Sequence, residues 1–292
     1  MFSGSSVAIV TPMSQDGQVD LRAMQGLIDW HIDEGTNAIV VAGTTGESAT
    51  LNTEEHLAVV DATVRFVRQR VPVIAGTGSN STAQTLALSL AVDELGVDGY
   101  LVVTPYYNKP PQEGLYRHFV AIADAVNHPV MLYNVPARTG VDLLPETVAR
   151  LAEHQNIFAI KEATGDLERA RQIRELTDSN FRLYSGDDPT SRDFMLQGGH
   201  GVVSVTANVA PKLMAAMCRE ALAGNQAESS GLDEQLVALH KDLFVESNPI
   251  PVKWALHKMG KVGPGIRLPL VPMSGINVSA VERALRAAEV EL

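Results

Sequence analysis

Cysteine is nearly missing from this chain: Cys218 stands alone among 292 residues, so no internal disulfide can form, and its apolar neighbours Met214, Met217 and Leu222 mark it as a packing residue on a helix face. Aromatic residues make up only 5%. No run of five like charges occurs, and the net charge is −11, from 23 Lys plus Arg against 34 Asp plus Glu. That balance excludes a basic tail and argues against a nucleic-acid partner. No apolar stretch approaches the length of a membrane span, and the first basic residue is Arg22, so the start lacks the charged region of a secretory signal. A cytoplasmic, non-membrane protein is expected. The eight histidines, His31, His56, His118, His128, His154, His200, His240 and His257, show no pair at ligand spacing, and no metal site is expected.

What the chain does have is a rhythm. Short apolar or β-branched runs recur as Val7–Val10, Ala38–Val41, Pro72–Ala75, Tyr100–Val103, Val130–Tyr133, Ile157–Lys161, Phe181–Tyr184 and Val202–Val205, with helical periodicity between them. Several are almost wholly apolar, as parallel strands covered on both faces should be. Eight such units predict an α/β protein, a (β/α)8 TIM barrel. The rival is a doubly wound open sheet, disfavoured by the lack of a Gly-x-Gly-x-x-Gly fingerprint after the first run. Asn52 or Thr53 ahead of Glu54 and Glu55 reads as a helix start, and Asp187-Asp188-Pro189 as another, with the acids as caps. From Asn225 the rhythm breaks. Leu232, Leu236, Leu239 and Leu243 form one helical stripe, a Gly/Pro-rich connector spans Gly260–Pro272, and a last helix is expected over Val278–Ala288. The expected division is a barrel over 1–224 carrying the active site and a C-terminal helical domain over 225–292.

In such barrels the chemistry sits where strands end, and these ends are reactive. Gly43-Thr44-Thr45-Gly46-Glu47-Ser48 follows the second run, Thr104-Pro105-Tyr106-Tyr107-Asn108 the fourth, Tyr133-Asn134-Val135-Pro136-Ala137-Arg138-Thr139 the fifth, and Lys161 closes the sixth. Lysine is rarely buried without a purpose. Free amines attack carbonyls and ammonium ions do not, and a low-dielectric strand end is where a lysine can lose its charge. The plainer alternative is a stem reaching to water. An amine adding to a ketone needs an acid–base group nearby, which the Tyr133 phenol can supply, with Thr44 and Tyr107 passing the proton onward. Tyr133 could otherwise be an ordinary core tyrosine. Arg138 offers a planar fork for a carboxylate, or a surface ion pair. The Gly43–Gly46 loop resembles a phosphate cradle, but no Lys-Ser or Lys-Thr follows and Glu47 repels phosphate. The pattern points to imine catalysis on a small keto acid without metal or organic cofactor.

The Gly43–Ser48, Thr104–Lys109 and Tyr133–Thr139 motifs, together with Ile160-Lys161-Glu162-Ala163-Thr164-Gly165, resemble over nearly the whole chain the dihydrodipicolinate synthase family of the pyruvate-dependent class I aldolase superfamily. The resemblance implies a Schiff base between Lys161 and pyruvate, a relay of Tyr133, Thr44 and Tyr107, and a homotetramer built from tight dimers in which Tyr107 crosses to the neighbouring active site. It further implies that Arg138 binds the carboxylate of L-aspartate 4-semialdehyde, while Thr45, Gly186 and Val203 hold pyruvate. The product would be 4-hydroxy-tetrahydrodipicolinate, on the way to diaminopimelate and lysine. Rival readings are an N-acetylneuraminate lyase or keto-deoxy sugar acid aldolase of the same superfamily, and a catalytically idle keto-acid sensor. Members of the family also bind lysine as an inhibitor in a cleft at the tight dimer interface. Ser48, Ala49, His56, Asn80 and Tyr106 match that site, but Thr53 stands where a histidine often occurs and Gln84 where glutamate is usual. Losing a carboxylate partner for the effector's ammonium is worth about 1.5 to 3 kcal/mol, roughly tenfold to a hundredfold in affinity, so weak or absent inhibition is expected.

Overall fold

A first strand can close against a last one only if their backbones can approach, and glycine permits that here. In the computed structural model, which describes residues 2–292, Gly4 pairs with Gly201, and a Cβ on Gly201 would stand 2.2 Å from the Gly4 carbonyl oxygen. The strands are β1 (Gly4–Ala8), β2 (Ala38–Val41), β3 (Val73–Gly76), β4 (Gly99–Val103), β5 (Val130–Asn134), β6 (Ile157–Glu162), β7 (Arg182–Ser185) and β8 (Gly201–Ser204). They pair in parallel and in chain order into a closed barrel, which removes the open doubly wound sheet from consideration. β1 covers Gly4–Ala8 rather than Val7–Val10, and β8 likewise starts one residue early. Backbone pairing at the seam, where small residues meet, sets those limits and hydrophobicity does not.

The helices are α1 (Leu21–Asp33), α2 (Thr53–Val67), α3 (Thr82–Asp93), α4 (Gln112–Ala125), a short α5 (Pro136–Thr139), α6 (Pro145–Ala152), α7 (Leu167–Leu176), α8 (Ser191–Leu196), α9 (Pro211–Leu222), α10 (Gln226–Asp242), α11 (Ile250–Lys258) and α12 (Val278–Ala287). Two apolar layers result. Alternating strand residues such as Val40, Ile74, Leu101, Met131 and Val203 fill the barrel, while Val7, Ile39, Val102 and Leu132 face the helices. Phe2 stacks on Tyr184 at 4.6 Å, and its carbonyl accepts the Tyr184 hydroxyl, closing the N-terminal mouth.

The expected caps are half right. Asn52 starts α2 in a reciprocal capping box with Glu55. Asp187 accepts from Thr190 N and Oγ1 ahead of α8, but Asp188 turns the other way, its Oδ2 accepting Val205 N and Thr206 N at 2.9 and 3.0 Å. The backbone leaving β8 has amides that need an acceptor, and α8 starts from Thr190 without a side-chain cap. Past α9, the stripe on α10 is buried at Leu236 and Leu239, with Leu243 just beyond the helix end, and α10 packs on α9 and α12. Cys218 is buried in α9, where burial pushes its thiol up.

Several histidines are core residues, and that predicts acid sensitivity. Burial lowers His31 to about 3 and His118 to about 4, each ring touching a threonine hydroxyl, Thr36 and Thr82. Between the unfolded value of 6.5 and these folded values the unfolded chain binds protons that the folded chain refuses. Stability therefore falls as pH drops below about 6.5, by up to about 1.4 kcal/mol per pH unit for each histidine. Glu162, raised by burial, works in the opposite sense. Calorimetry from pH 7 to 4.5 should show a falling Tm, with a shallower fall in His118→Asn; an unchanged slope would mean His118 contributes none of it.

Candidate active site

Lys161 faces the barrel interior because of an irregularity in β6. Val130 pairs with Ile157 but Met131 pairs with Ala159, so β6 carries one extra residue there, and Phe158 and Ala159 both turn inward. Strict alternation from the outward Ile157 would send Lys161 toward the helices; the bulge reverses the phase. Lys161 then lies beside its register partner Tyr133, Nζ 4.3 Å from the ring centroid, and each residue is only 6% exposed. Behind them, Asn134 Nδ2 donates to Glu162 Oε2 at 3.0 Å and Asp142 Oδ1 at 2.9 Å, and Arg169 holds Asp142 through two bonds. This belt ties β5 and β6 together on the outer face and so fixes the two reactive side chains on the inner one.

The loop after β2 folds back on itself, with Glu47 N donating to Thr44 O and Ser48 N to Gly43 O, and Glu47 lies in the left-handed region at φ 56°. Thr44, Tyr133 and Arg138 line one cleft of about 720 Å³ at the C-terminal rim. Ser48, Ala49, His56, Gln84 and Tyr106 line the same cleft, so members of the expected catalytic and regulatory sets share a continuous space in a single subunit. Thr45 and Val203 are buried and do not line it. Gly186 borders the lysine: a Cβ there would come within 2.8 Å of Lys161 Cε, so any side chain would displace the amine. Lys161 is not among the lining residues, and neither are Tyr107 and Asn80. Tyr107 is 88% exposed with φ 74°, and Asn80 lies outside, its carbonyl accepting Asn108 Nδ2. Among the described residues no group of three His, Cys, Asp or Glu side chains forms a metal-ligand set.

Sequence reasoning passed over a second group. Glu47 is a buried carboxylate paired with Lys253, whose ammonium burial destabilises more than Glu47 restores. Asn248 Nδ2 donates to Thr45 Oγ1 at 2.9 Å, and Arg267 N donates to Glu47 Oε1 at 3.2 Å. The one legible signal is Lys253 itself, a cation between Ile250–Val252 and Trp254–Leu256, as out of place in its helix as Lys161 is in its strand.

A closed (β/α)8 barrel that carries an amine, a phenol, a hydroxyl loop and a guanidinium toward the C-terminal ends of its strands has the make-up of an aldolase-type lyase. The Dihydrodipicolinate synthetase family matches residues 1–288. A 4-hydroxy-tetrahydrodipicolinate synthase of Alcanivorax borkumensis is 60% identical over 274 residues, covering 94% of this chain and 93% of that one. The structure of a chloride-inhibited dihydrodipicolinate synthase from Acinetobacter baumannii, complexed with pyruvate, superposes with a TM-score of 0.98 at 50% identity and full coverage of both chains. A monomeric dihydrodipicolinate synthase variant superposes at 0.97 with 44% identity, over 99% of this chain and 98% of that one. The chain belongs to the dihydrodipicolinate synthetase family.

Proposed function

We infer that this protein is a lyase of diaminopimelate and lysine biosynthesis, condensing pyruvate with L-aspartate 4-semialdehyde to 4-hydroxy-tetrahydrodipicolinate. The observation that carries the reading is the pairing of Lys161 with Tyr133 on adjacent strands beneath a cleft rimmed by Thr44 and Arg138. The Lys161 amine adds to the C2 carbonyl of pyruvate, and the Tyr133 phenol protonates the carbinolamine oxygen so that it leaves as water. Loss of a C3 proton gives the enamine. Its carbon attacks the aldehyde of the second substrate, whose carboxylate is held by Arg138. The substrate amine then displaces the lysine, closing the ring and freeing Lys161.

Thr44 and Tyr107 carry the proton between Tyr133 and solvent, and Thr45, Gly186 and Val203 hold the keto acid. Exposure of Tyr107 supports its donation to a neighbouring subunit in a homotetramer of tight dimers, and sedimentation checks that assembly. The barrel over 1–224 and a helical domain over 225–292 divide the work unequally, and the enzyme acts in the cytoplasm. Incubation with pyruvate and borohydride followed by peptide mapping tests the reading: an adduct on Lys161 is expected, and none there would end it. A coupled assay should favour aspartate semialdehyde over sugar aldehydes. Gln84, whose Oε1 accepts the Ser79 hydroxyl, gives an effector ammonium no charge. Lysine should inhibit weakly or not at all, and micromolar inhibition in a dose–response curve would contradict this.

A further inference from the structure

The C-terminal segment reaches back to the hydroxyl loop at three points. Asn248 touches Thr45, Lys253 on α11 pairs with Glu47, and Arg267 donates its amide to Glu47, its Nη1 to the Thr50 carbonyl and both Nη atoms to Glu55. The first contact has a polarity. Asn248 and Thr45 are buried, and the amide nitrogen is the atom facing Thr45 Oγ1, leaving Asn248 Oδ1 without a partner among the described residues. The reverse orientation would leave a buried amide nitrogen with two donors unpaired in place of one acceptor, a worse arrangement. A hydroxyl that accepts from an amide keeps its own proton for some other acceptor.

We propose that Asn248 is a positioning residue for the keto acid, holding Thr45 Oγ1 from one side so that the Thr45 proton is delivered to the substrate carboxylate; this rests on the imine reading above. Asn248 itself need not touch substrate. The Glu47–Lys253 pair and Arg267 keep the segment against the loop, so that the hydroxyl stays aimed before substrate arrives and binding does not have to order it. The active site therefore extends beyond the barrel into residues 248–267.

The test is a double-mutant cycle read on pyruvate KM, kcat and melting temperature in the full-length protein. Asn248→Ala should raise KM for pyruvate about tenfold, with kcat changed less than about threefold. Asn248→Asp, close in shape, should raise it further, because a carboxylate takes the Thr45 proton for itself and repels the substrate anion. In a Thr45→Val background Asn248→Ala should add less than about a twofold rise, since nothing remains to be aimed. An equal rise in both backgrounds would make Asn248 a general structural element and overturn the proposal. Absence of a borohydride-trapped adduct on Lys161 in the unmodified protein would overturn this and the imine reading together, whereas a normal adduct with unchanged KM in Asn248→Ala overturns this one alone.

Discussion

Lys161→Met is expected to lower kcat/KM for the condensation at least about a thousandfold and to abolish the borohydride-trapped pyruvate adduct. Methionine keeps the length and the apolar stem but has no amine, and no other group in the cleft replaces it. Because Lys161 is 6% exposed against the Tyr133 ring and among apolar barrel residues, the substitution strands no buried counter-charge. The variant should therefore fold with an unchanged or raised Tm, which separates lost chemistry from lost structure. Residual activity near a tenth of the original, or an adduct mapping to another lysine, would refute the assignment.

Lys253→Met should have the largest effect on stability. It leaves the Glu47 carboxylate, whose side chain is 0% exposed, without its cation, and breaking one side of a buried pair costs about 3–5 kcal/mol. For a chain of this size that is a fall in Tm on the order of 10 °C. The double variant Glu47→Gln with Lys253→Met removes both charges and should recover most of the loss, because the cost lies in the unpaired ion rather than in the missing attraction. Thermal melts of the two variants decide the point, and equal destabilisation would mean that Lys253 matters through packing alone.

Much of the reactive rim was legible because barrel strands announce themselves and the residues after them are short in sequence. Tyr133 lies in β5 itself, and Thr44 and Arg138 come within a few residues of the ends of β2 and β5, so the strand pattern leads almost directly to the site. The cap at Asn52 was legible for a similar reason, its partner Glu55 being three residues away. Asp188 was misread because its partners lie 17 and 18 residues away, on another strand's exit. The burial of Glu47 was not legible, because its partner is a lysine 206 residues later.

What the sequence determined by itself is the set of apolar strands and the chemical groups at their ends, since each follows from patterns within a few residues of chain, and the alternation of strand with helix that points to parallel pairing. Only the tertiary structure decided which of those groups meet. The bulge in β6, a feature of pairing with β5, turned Lys161 inward to Tyr133, and a segment from Asn248 to Arg267 closed on a loop two hundred residues before it. Register and long-range closure depend on the backbone of a partner strand or a distant helix, and no local pattern of side chains encodes them.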